Sequence, residues 1–279
     1  MYSIIVCSKH LQEAEALRKN IERTIGDDVP FEFIAYDNRG TGKGICQGYN
    51  ECASMAKYDY LCFIHEDVEF MTDGWGKMIS EKLSEDSCGV VGFVGSAMKA
   101  KARTGWNSTK NYGVRRHFIQ GGGDNRIYKD NPYGQRFSQV VTLDGFCLFT
   151  TRKVWERIRF DDKMLKGFHC YDVDFTIAAA DSGLRNWVCN CVMVKHSSAG
   201  NIDRKWFSDN EKLHDKWKSR LPLYVRKKNY VKREYYEFRS KIEWMCALGQ
   251  QGIYDNAKAK YVLGYVLTHP FNKRTYTFL

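Results

Sequence analysis

Residues 44–70 read GICQGYNECASMAKYDYLCFIHEDVEF, and three features follow one another in this stretch. Residues 45–56 predict a helix, and residues 59–64 (DYLCFI) form a short, nearly continuous apolar run that predicts a buried strand. The apolar run ends at the polar triplet His65-Glu66-Asp67. A helix followed by a buried strand with polar residues at its carboxyl end is typical of a parallel α/β sheet, in which ligands bind at the carboxyl ends of the strands.

The same alternation extends toward the N-terminus. Residues 3–8 (SIIVCS) and 31–36 (FEFIAY) predict two more strands, and residues 11–25 predict an amphipathic helix between them. Strand, helix, strand, helix, strand predicts a parallel sheet with right-handed crossovers. Further along the chain we predict helices at 74–84, 152–158 and 172–183, and strands at 88–95, 139–151 and 186–194. We therefore expect one α/β domain over residues 1–202, with a mainly parallel central sheet.

Polar side chains follow the ends of four predicted strands. They are Ser8, Asp37, the triplet His65-Glu66-Asp67, and His196 after the last strand. The carboxyl ends of parallel strands meet at one edge of a sheet, so we expect these side chains to share a rim. A histidine and several carboxylates on one rim can hold a divalent cation that also binds phosphate. Any one of them alone is more often a turn residue than a ligand.

Residues 99–138 differ from the rest of the chain, because they are rich in Lys, Arg, Gly, Asn and Tyr and show little periodicity. A segment of this length inside a compact domain is usually functional. We expect it to order over a bound ligand. It contains Trp106, whose indole face could stack on the apolar face of a sugar ring.

Charge divides the chain. Residues 203–279 hold 17 Lys and Arg against 8 Asp and Glu, whereas residues 1–202 hold 26 against 25. We take residue 202/203 as a domain boundary, with a basic, aromatic and helical C-terminal extension beyond it. Residues 203–241 predict either contact with an anionic membrane surface or a helical subdomain whose aromatic side chains pack on the first domain. Nucleic-acid binding is disfavoured because the larger domain is nearly neutral.

Cysteine usage and hydropathy favour a cytoplasmic location. The chain has 10 Cys, many of them inside apolar runs, and no CxxC motif, which disfavours a structural zinc site. We expect buried, reduced thiols. No stretch approaches the roughly 18 apolar residues that a membrane-spanning helix needs. The N-terminal MYSIIVCSKH has no basic leader, so it predicts a first strand and not a signal peptide.

The order SIIVCS, FIAYDN and then residues 44–70 resembles the nucleotide-binding half of family 2 glycosyltransferases, which have the GT-A fold. The helix residues Gly48, Asn50 and Ala56 match that family, and the triplet at residues 65–67 stands where the family has its DXD metal motif. His65 replaces the first Asp, as in a divergent branch with His-x-Asp-Val at this place. Residues 140–200 resemble the same branch, with an acidic pair in place of its ED motif, so the resemblance covers roughly residues 2–200.

The resemblance implies an inverting, metal-dependent transfer of a hexosyl-type sugar from a nucleotide diphosphate to an acceptor hydroxyl. Asp172 aligns with the general base of the ED motif. Asp174 is the alternative base, but it lies about 200° further around the helix, so the two cannot both face one acceptor. The resemblance implies Mn²⁺ or Mg²⁺ held by Asp67, His196 and His65. The implied nucleotide-sugar contacts are Ser8, Asp37, Asn50, Glu66, Asp144 and His169, of which Asp37 would contact the nucleotide base. Trp106 is the implied acceptor contact.

The implied partners are a UDP- or GDP-linked sugar and a glycan or lipid-linked acceptor. This chemistry suits bacterial-type surface polysaccharide synthesis at the inner face of the membrane. Two alternatives remain open. A catalytically silent nucleotide-sugar-binding relative would also explain the substitution at His65. A sugar nucleotidyltransferase is a further alternative, although the short loop Ser8-Lys9-His10 lacks the glycine-rich, basic character that such enzymes usually need.

Overall fold

The fold comes from a computed structural model that describes residues 1–107, 113–115, 118–121, 125–129, 131, 134–198, 200, 202–225, 230–250, 263–264 and 266–268. The helices are α1 (Leu11–Thr24), α2 (Ile45–Met55), α3 (Trp75–Leu83), α4 (Arg152–Ile158), α5 (Tyr171–Asp181), α6 (Arg204–Trp217) and α7 (Tyr230–Gln250). The strands are β1 (Tyr2–Ser8), β2 (Phe31–Asp37), β3 (Tyr60–Ile64), β4 (Val68–Phe70), β5 (Cys88–Gly92), β6 (Val94–Ser96), β7 (Met98–Lys99), β8 (Gly113–Arg115), β9 (Phe118–Gln120), β10 (Arg126–Tyr128), β11 (Phe137–Val140), β12 (Thr142–Leu143), β13 (Cys147–Thr151), β14 (Arg185–Cys189), β15 (Val194–His196) and β16 (Leu223–Tyr224).

A seven-stranded sheet in the order β11-β14-β5-β13-β3-β1-β2 forms the centre of the fold. The pairs β1–β2, β1–β3 and β14–β5 are parallel. Strand β13 runs antiparallel to both of its neighbours, and β11 runs antiparallel to β14. Five strands therefore point the same way, and the sheet is mixed. The α/β fold class is confirmed, but the single strand predicted at 139–151 is wrong, because that stretch divides among β11, β12 and β13.

Helices cover both faces of this sheet, so the central strands are apolar on both sides. In β1, Ile4 and Val6 pack into one core cluster with α1 and α3, whereas Ile5 packs into the other with α2 and α5. This alternation follows from the twofold period of a strand. All three side chains are fully buried. Burial of each stabilises the fold by about 1.5–3 kcal/mol, which explains why residues 4–6 at the centre of β1 are consecutive apolar residues.

The last predicted strand, residues 186–194 ending at His196, divides into two in the structure. β14 belongs to the central sheet, whereas β15 joins a four-stranded sheet in the order β10-β9-β15-β4. In that second sheet His196 lies opposite Val68, the residue after Asp67. His196 therefore reaches the end of β3 through the antiparallel β15–β4 pair and not along the edge of the central sheet.

The helix after residue 203 packs on the α/β core. Leu213, Trp217 and Leu221 belong to the same buried cluster as the side chains of α2 and α5. Tyr235 and Tyr236 of α7 pack in a third cluster with Met98. The division at residue 202/203 stays a prediction. Among the residues that the structure describes, no helix combines the length and apolarity needed to cross a bilayer.

All ten cysteines are free thiols, and seven of them are buried. The expectation that the segment 99–138 orders over a ligand falls partly on residues 108–112, 116–117, 122–124, 130 and 132–133, which lie outside the described residues. The described parts of the segment contribute β8, β9 and β10 to the second sheet and to a small three-stranded sheet.

Candidate active site

His65, Asp67 and His196 form a compact cluster at the carboxyl end of β3. One potential ligand atom from each lies within 4.8 Å of the others. His196 Nε2 is 3.4 Å from Asp67 Oδ1, and the backbone N–H of Ser198 donates to Asp67 Oδ2 at 2.8 Å. The ring of Phe146 stacks on His196 with centroids 4.7 Å apart. The three predicted metal residues are thus brought together by two different sheets.

Tyr171 sets the orientation of His65. Its hydroxyl donates to the carbonyl of Gly145 at 3.0 Å and lies 2.7 Å from His65 Nε2. Because the Tyr171 hydroxyl donates its proton to the Gly145 carbonyl, the Nε2–H of His65 donates to the hydroxyl oxygen. Nδ1 of His65 then carries the free lone pair, which is the form of imidazole that binds a cation.

The charge states also suit a cation. Burial and the neighbouring His196 lower the pKa of His65 to about 4, so His65 is neutral at pH 7. Burial would raise the pKa of Asp67, but hydrogen bonds from His196 and Ser198 hold it well below its ordinary value. Two imidazoles and one carboxylate on adjacent elements can hold a divalent transition metal. The donor set therefore fits the expected cation.

A cavity of about 540 Å³ opens beside this cluster. It is lined by residues from the α/β core and from helices α6 and α7: His65, Arg103, Thr104, Gly105, Trp106, Asn107, Gln120, Asp144, Gly145, Phe168, His169, Cys170, Tyr171, Asp172, His196, Ser198, Gly200, Ile202, Trp206, Glu243, Trp244 and Ala247. Of the predicted site residues, the cavity collects His65, His196, Asp144, Asp172, His169 and Trp106. His169 Nε2 also lies 3.3 Å from Asp203 Oδ1.

Asp172 lies in the first turn of α5 and lines the cavity. Its Oδ2 accepts a hydrogen bond from the backbone N–H of Gly145 at 3.0 Å. Burial, followed by the nearby charge of Asp144, raises the pKa of Asp172 to about 7. A carboxylate with this pKa is suited to general-base work near neutral pH.

Gly145 is required for this arrangement. A Cβ at Gly145 would lie 2.4 Å from the hydroxyl oxygen of Tyr171 and 2.8 Å from Cβ of Asp172. Any side chain here would push apart the two residues that flank the cavity. The dipeptide Asp144-Gly145 therefore combines a cavity-lining carboxylate with a close backbone approach.

Asp174 points to the opposite side of α5, away from the cavity. Its carboxylate accepts from Trp217 Nε1 at 2.7 Å and pairs with Lys216 Nζ at 2.9 Å. Only 2% of the residue is exposed. Burial raises its pKa, although Lys216 and Trp217 oppose that change. The structure thus leaves Asp172 as the one member of the acidic pair that faces the cavity, and Asp174 links α5 to α6.

We expect Asp174→Ala to lower the free energy of unfolding by about 1–3 kcal/mol, because the Trp217 N–H loses its buried acceptor. Urea denaturation measures this change. Exposed Asp73→Ala serves as the control and should lie within about 0.5 kcal/mol of the wild type. Equal stability of Asp174→Ala and the wild type would contradict the linking role.

Four predicted nucleotide-sugar contacts, Asn50, Ser8, Glu66 and Asp37, lie outside the cavity lining. Asn50 is buried, and its amide bonds to Asp162 and to the backbone of Phe160 and accepts from Trp155 Nε1. Both polar atoms of the Asn50 side chain are therefore used to hold the 155–162 segment on α2. The structure does not bring Asn50 to the site. Asn50 lies on the face of α2 that packs against the core.

Ser8, Glu66 and Asp37 occupy the rim. Ser8 Oγ donates to Glu66, whose Oε2 also accepts from the backbone N–H groups of Lys9 and His10 at 3.1 Å. Glu66 thus orders the loop between β1 and α1. Asp37 lies opposite Ser8 in the sheet and pairs with Arg39, whose hydrogen bonds lower the pKa of Asp37 to about 2.

Sequence reasoning missed several lining residues. Tyr171 and Ser198 act through hydrogen bonds to predicted ligands, and both are adjacent or close in sequence to residues that were singled out. Trp206 and Trp244 come from α6 and α7, and no periodicity shows which face of those helices meets the cavity. Their signal was the aromatic content of the C-terminal extension.

Comparison with known proteins identifies the family. Residues 3–220 match the model of the "Glycosyltransferase like family". No curated protein sequence gives a significant match. Among solved structures, S. aureus TarS 1-349 in complex with UDP-GlcNAc superposes with a TM-score of 0.52 at 12% identity, over 88% of this chain and 72% of that one. The complex of the same TarS fragment with UDP gives 0.52 at 11% identity, over 94% and 74%.

A further structural neighbour is GalNAc-T7 with UDP, GalNAc and Mn²⁺, with a TM-score of 0.50 at 10% identity. The match covers 71% of this chain and spans 44% of GalNAc-T7. At these identities the neighbours show the fold alone, and they share the GT-A architecture. Because the family model covers most of the chain, the protein belongs to the glycosyltransferase-like family and has the GT-A fold.

Proposed function

We propose that the protein transfers a sugar from a nucleotide diphosphate to an acceptor hydroxyl, with a divalent cation and with inversion at the anomeric carbon. One observation carries this proposal. Asp172, whose pKa is raised to about 7, lines the same cavity as His65 and His196 of the His-Asp-His cluster. A base and a cation site that share one cavity are the two groups that such a transfer needs.

His65, Asp67 and His196 would hold the cation. When bound, it would neutralise the negative charge that develops on the leaving diphosphate. Two imidazoles favour Mn²⁺ over Mg²⁺, since Mg²⁺ prefers oxygen ligands. The structures of TarS with UDP-GlcNAc and of GalNAc-T7 with UDP, GalNAc and Mn²⁺ support a UDP-linked sugar as the donor for this chain as well.

Asp172 would accept the proton of the acceptor hydroxyl as that oxygen attacks the anomeric carbon. The Gly145 N–H and the α5 N-terminus keep one carboxylate oxygen oriented, which leaves the other free to face the acceptor. Asp144 and His169 line the cavity beside Asp172, where they would bind sugar hydroxyls. Asp37 on the rim would contact the nucleotide base once Arg39 turns aside.

The wider role remains part of the proposal. The acceptor would be a glycan or a lipid-linked sugar, and the product a surface polysaccharide made on the cytoplasmic side of the membrane. The basic stretch 203–241 would be suited to peripheral contact with anionic lipids.

We expect activity to depend on the ionisation of Asp172. The base works only as the carboxylate, so kcat/KM should fall about tenfold per pH unit below about pH 7 and level off above it. The same pKa lies above that of an unfolded aspartate, about 3.9, so ionisation of Asp172 costs folding stability as the pH rises from about 4 to about 7. A pH–rate profile with a flat acidic limb down to pH 5 would contradict this assignment.

Donor hydrolysis tests the proposed activity without a known acceptor. Purified protein is incubated with Mn²⁺ and, separately, UDP-GlcNAc, UDP-GalNAc, UDP-glucose, UDP-galactose and GDP-mannose, and the release of nucleoside diphosphate is measured. We expect slow release from one donor that stops with EDTA and returns with Mn²⁺. Release of nucleoside diphosphate at the same rate with and without EDTA would overturn the cation-dependent mechanism. Release of a nucleoside monophosphate would indicate a different reaction.

A further inference from the structure

The C-terminal helices supply one wall of the cavity. Trp206 of α6 and Trp244 of α7 both line it, with ring centroids 5.8 Å apart and planes inclined by 37°. Both indoles are partly exposed. Phe168, which is 41% exposed, and Ile202, which is 46% exposed, extend this apolar surface. The cavity therefore has an aromatic wall in addition to its polar end at the His-Asp-His cluster.

The wall is fixed to the core by a buried lysine. Lys99 Nζ donates to the carbonyl and the hydroxyl of Thr104 at 2.7 and 3.1 Å and lies 2.9 Å from Nε2 of His214 on α6. Lys99 is fully buried. A Cβ built on Gly105 would lie 3.5 Å from Trp206. These contacts hold the 103–107 segment, which carries Trp106, against the helix that carries Trp206.

Polar groups interrupt the aromatic wall. Arg103 and Glu243 line the cavity, and among the described residues their ion-pair partners are Glu211 and Arg239 respectively, in pairs that are partly exposed. Exposed pairs of this kind are weak and can exchange for another hydrogen-bonding partner. Asn107 also lines the cavity, and its Oδ1 is buried without a hydrogen-bond partner among the described residues. A buried unpaired acceptor calls for a donor, and the donor that a ligand can bring here is a hydroxyl or amide N–H.

We propose that Trp206, Trp244 and Asn107 form the acceptor subsite and that the acceptor is a neutral carbohydrate. The identification of this subsite as the acceptor side rests on the glycosyl transfer proposed above. Indole faces stack on the apolar face of a pyranose ring, and the interleaved amide and charged groups match the hydroxyls at its edge. An acyl chain would leave the Asn107 acceptor without a donor and would offer no hydrogen-bonding group to Arg103 or Glu243, so the mixed lining favours a sugar over a lipid tail.

Fluorine NMR of 5-fluorotryptophan-labelled protein tests this subsite. Tryptophan resonances are assigned with Trp→Phe variants, and the probes are p-nitrophenyl glycosides of glucose, galactose, GlcNAc and GalNAc and their β-linked disaccharides. We expect at least one glycoside to shift the resonances of Trp206 and Trp244 but not that of Trp187, which lies outside the cavity. Trp244→Ala and Asn107→Ala should each lower the affinity for that glycoside by about threefold to tenfold.

UDP with Mn²⁺ supplies the second readout. Trp244→Ala should bind UDP and Mn²⁺ like the wild type, because the proposed diphosphate site at the His-Asp-His cluster is at the other end of the cavity. The wild type could bind glycosides at Trp206 and Trp244 and yet fail to bind UDP with Mn²⁺. That result would contradict the proposed glycosyl transfer but would support the carbohydrate subsite. Shifts of Trp206 and Trp244 with vesicles of anionic phospholipid but with none of the glycosides would overturn the carbohydrate assignment. Shifts with neither probe would overturn it as well.

Discussion

Replacement of Asp172 by Asn should lower kcat by about 10²–10⁴-fold, the typical contribution of a general base. The amide keeps the size of the side chain and can still accept the Gly145 N–H at the position of Oδ2. It cannot take a proton from the acceptor hydroxyl. The affinity for the nucleotide-sugar donor should barely change, since the base contacts the acceptor. Steady-state kinetics with the donor selected by hydrolysis, together with donor titration, separate these two effects.

Asp174→Asn is the matched control, because it makes the same chemical change two residues away on the same helix. Its side chain faces Trp217 and Lys216, so we expect a much smaller loss of kcat. A severe loss in Asp174→Asn with near-normal Asp172→Asn would move the base by two residues. The product anomer, determined by NMR, tests inversion in the same experiment, because a product that keeps the donor's configuration excludes this single-base mechanism.

Replacement of Asp67 by Asn should abolish the Mn²⁺-dependent part of nucleotide binding. Asp67 is the only carboxylate in the three-residue cluster found among the described residues, and loss of its charge removes the ligand that most favours a dication. Even residues that only support metal ligands cost about 10–100-fold in metal affinity when changed, so we expect at least about 100-fold here. Calorimetric titration of UDP with and without Mn²⁺ measures the difference.

Asp73→Asn provides a control of equal charge change, because Asp73 has an 80% exposed side chain before α3. It should bind UDP with Mn²⁺ like the wild type. Circular dichroism and the unfolding midpoint show whether Asp67→Asn keeps the fold. A folded Asp67→Asn protein that binds UDP with Mn²⁺ as tightly as the wild type would refute the ligand role.

The elements that pack on both sheet faces could be predicted from the sequence. The helices predicted at 11–25, 45–56, 74–84 and 152–158 lie within a residue or so of α1, α2, α3 and α4, because their apolar spacing reflects the face that they bury. The polar residues at the ends of β1, β2 and β3 meet at one edge, as parallel strands require. Local pattern and sheet geometry contain this information.

The second sheet could not be predicted. Apart from Asn186 and Asn190, residues 186–194 are apolar, and one Asn after Cys189 does not distinguish the end of β14 from a polar position within a longer strand. The break depends on the pairing of β15 with β4 and β9, which are distant in sequence. The position of Asn50 shows the same limit, since a motif residue on a helix can serve either the cavity or the core. The aromatic wall from α6 and α7 likewise depends on long-range packing.

Binding of free nucleotides with and without cation tests the central claim most directly. Thermal unfolding is followed with UDP, GDP, ADP, CDP and UMP, each with Mn²⁺, with Mg²⁺ and with EDTA. We predict that UDP raises the midpoint of thermal unfolding by several degrees in the presence of Mn²⁺. The rise should be smaller with Mg²⁺ and absent with EDTA. Equal midpoints for all nucleotides in Mn²⁺ and in EDTA would contradict a cation-assisted nucleotide-sugar site in this cavity.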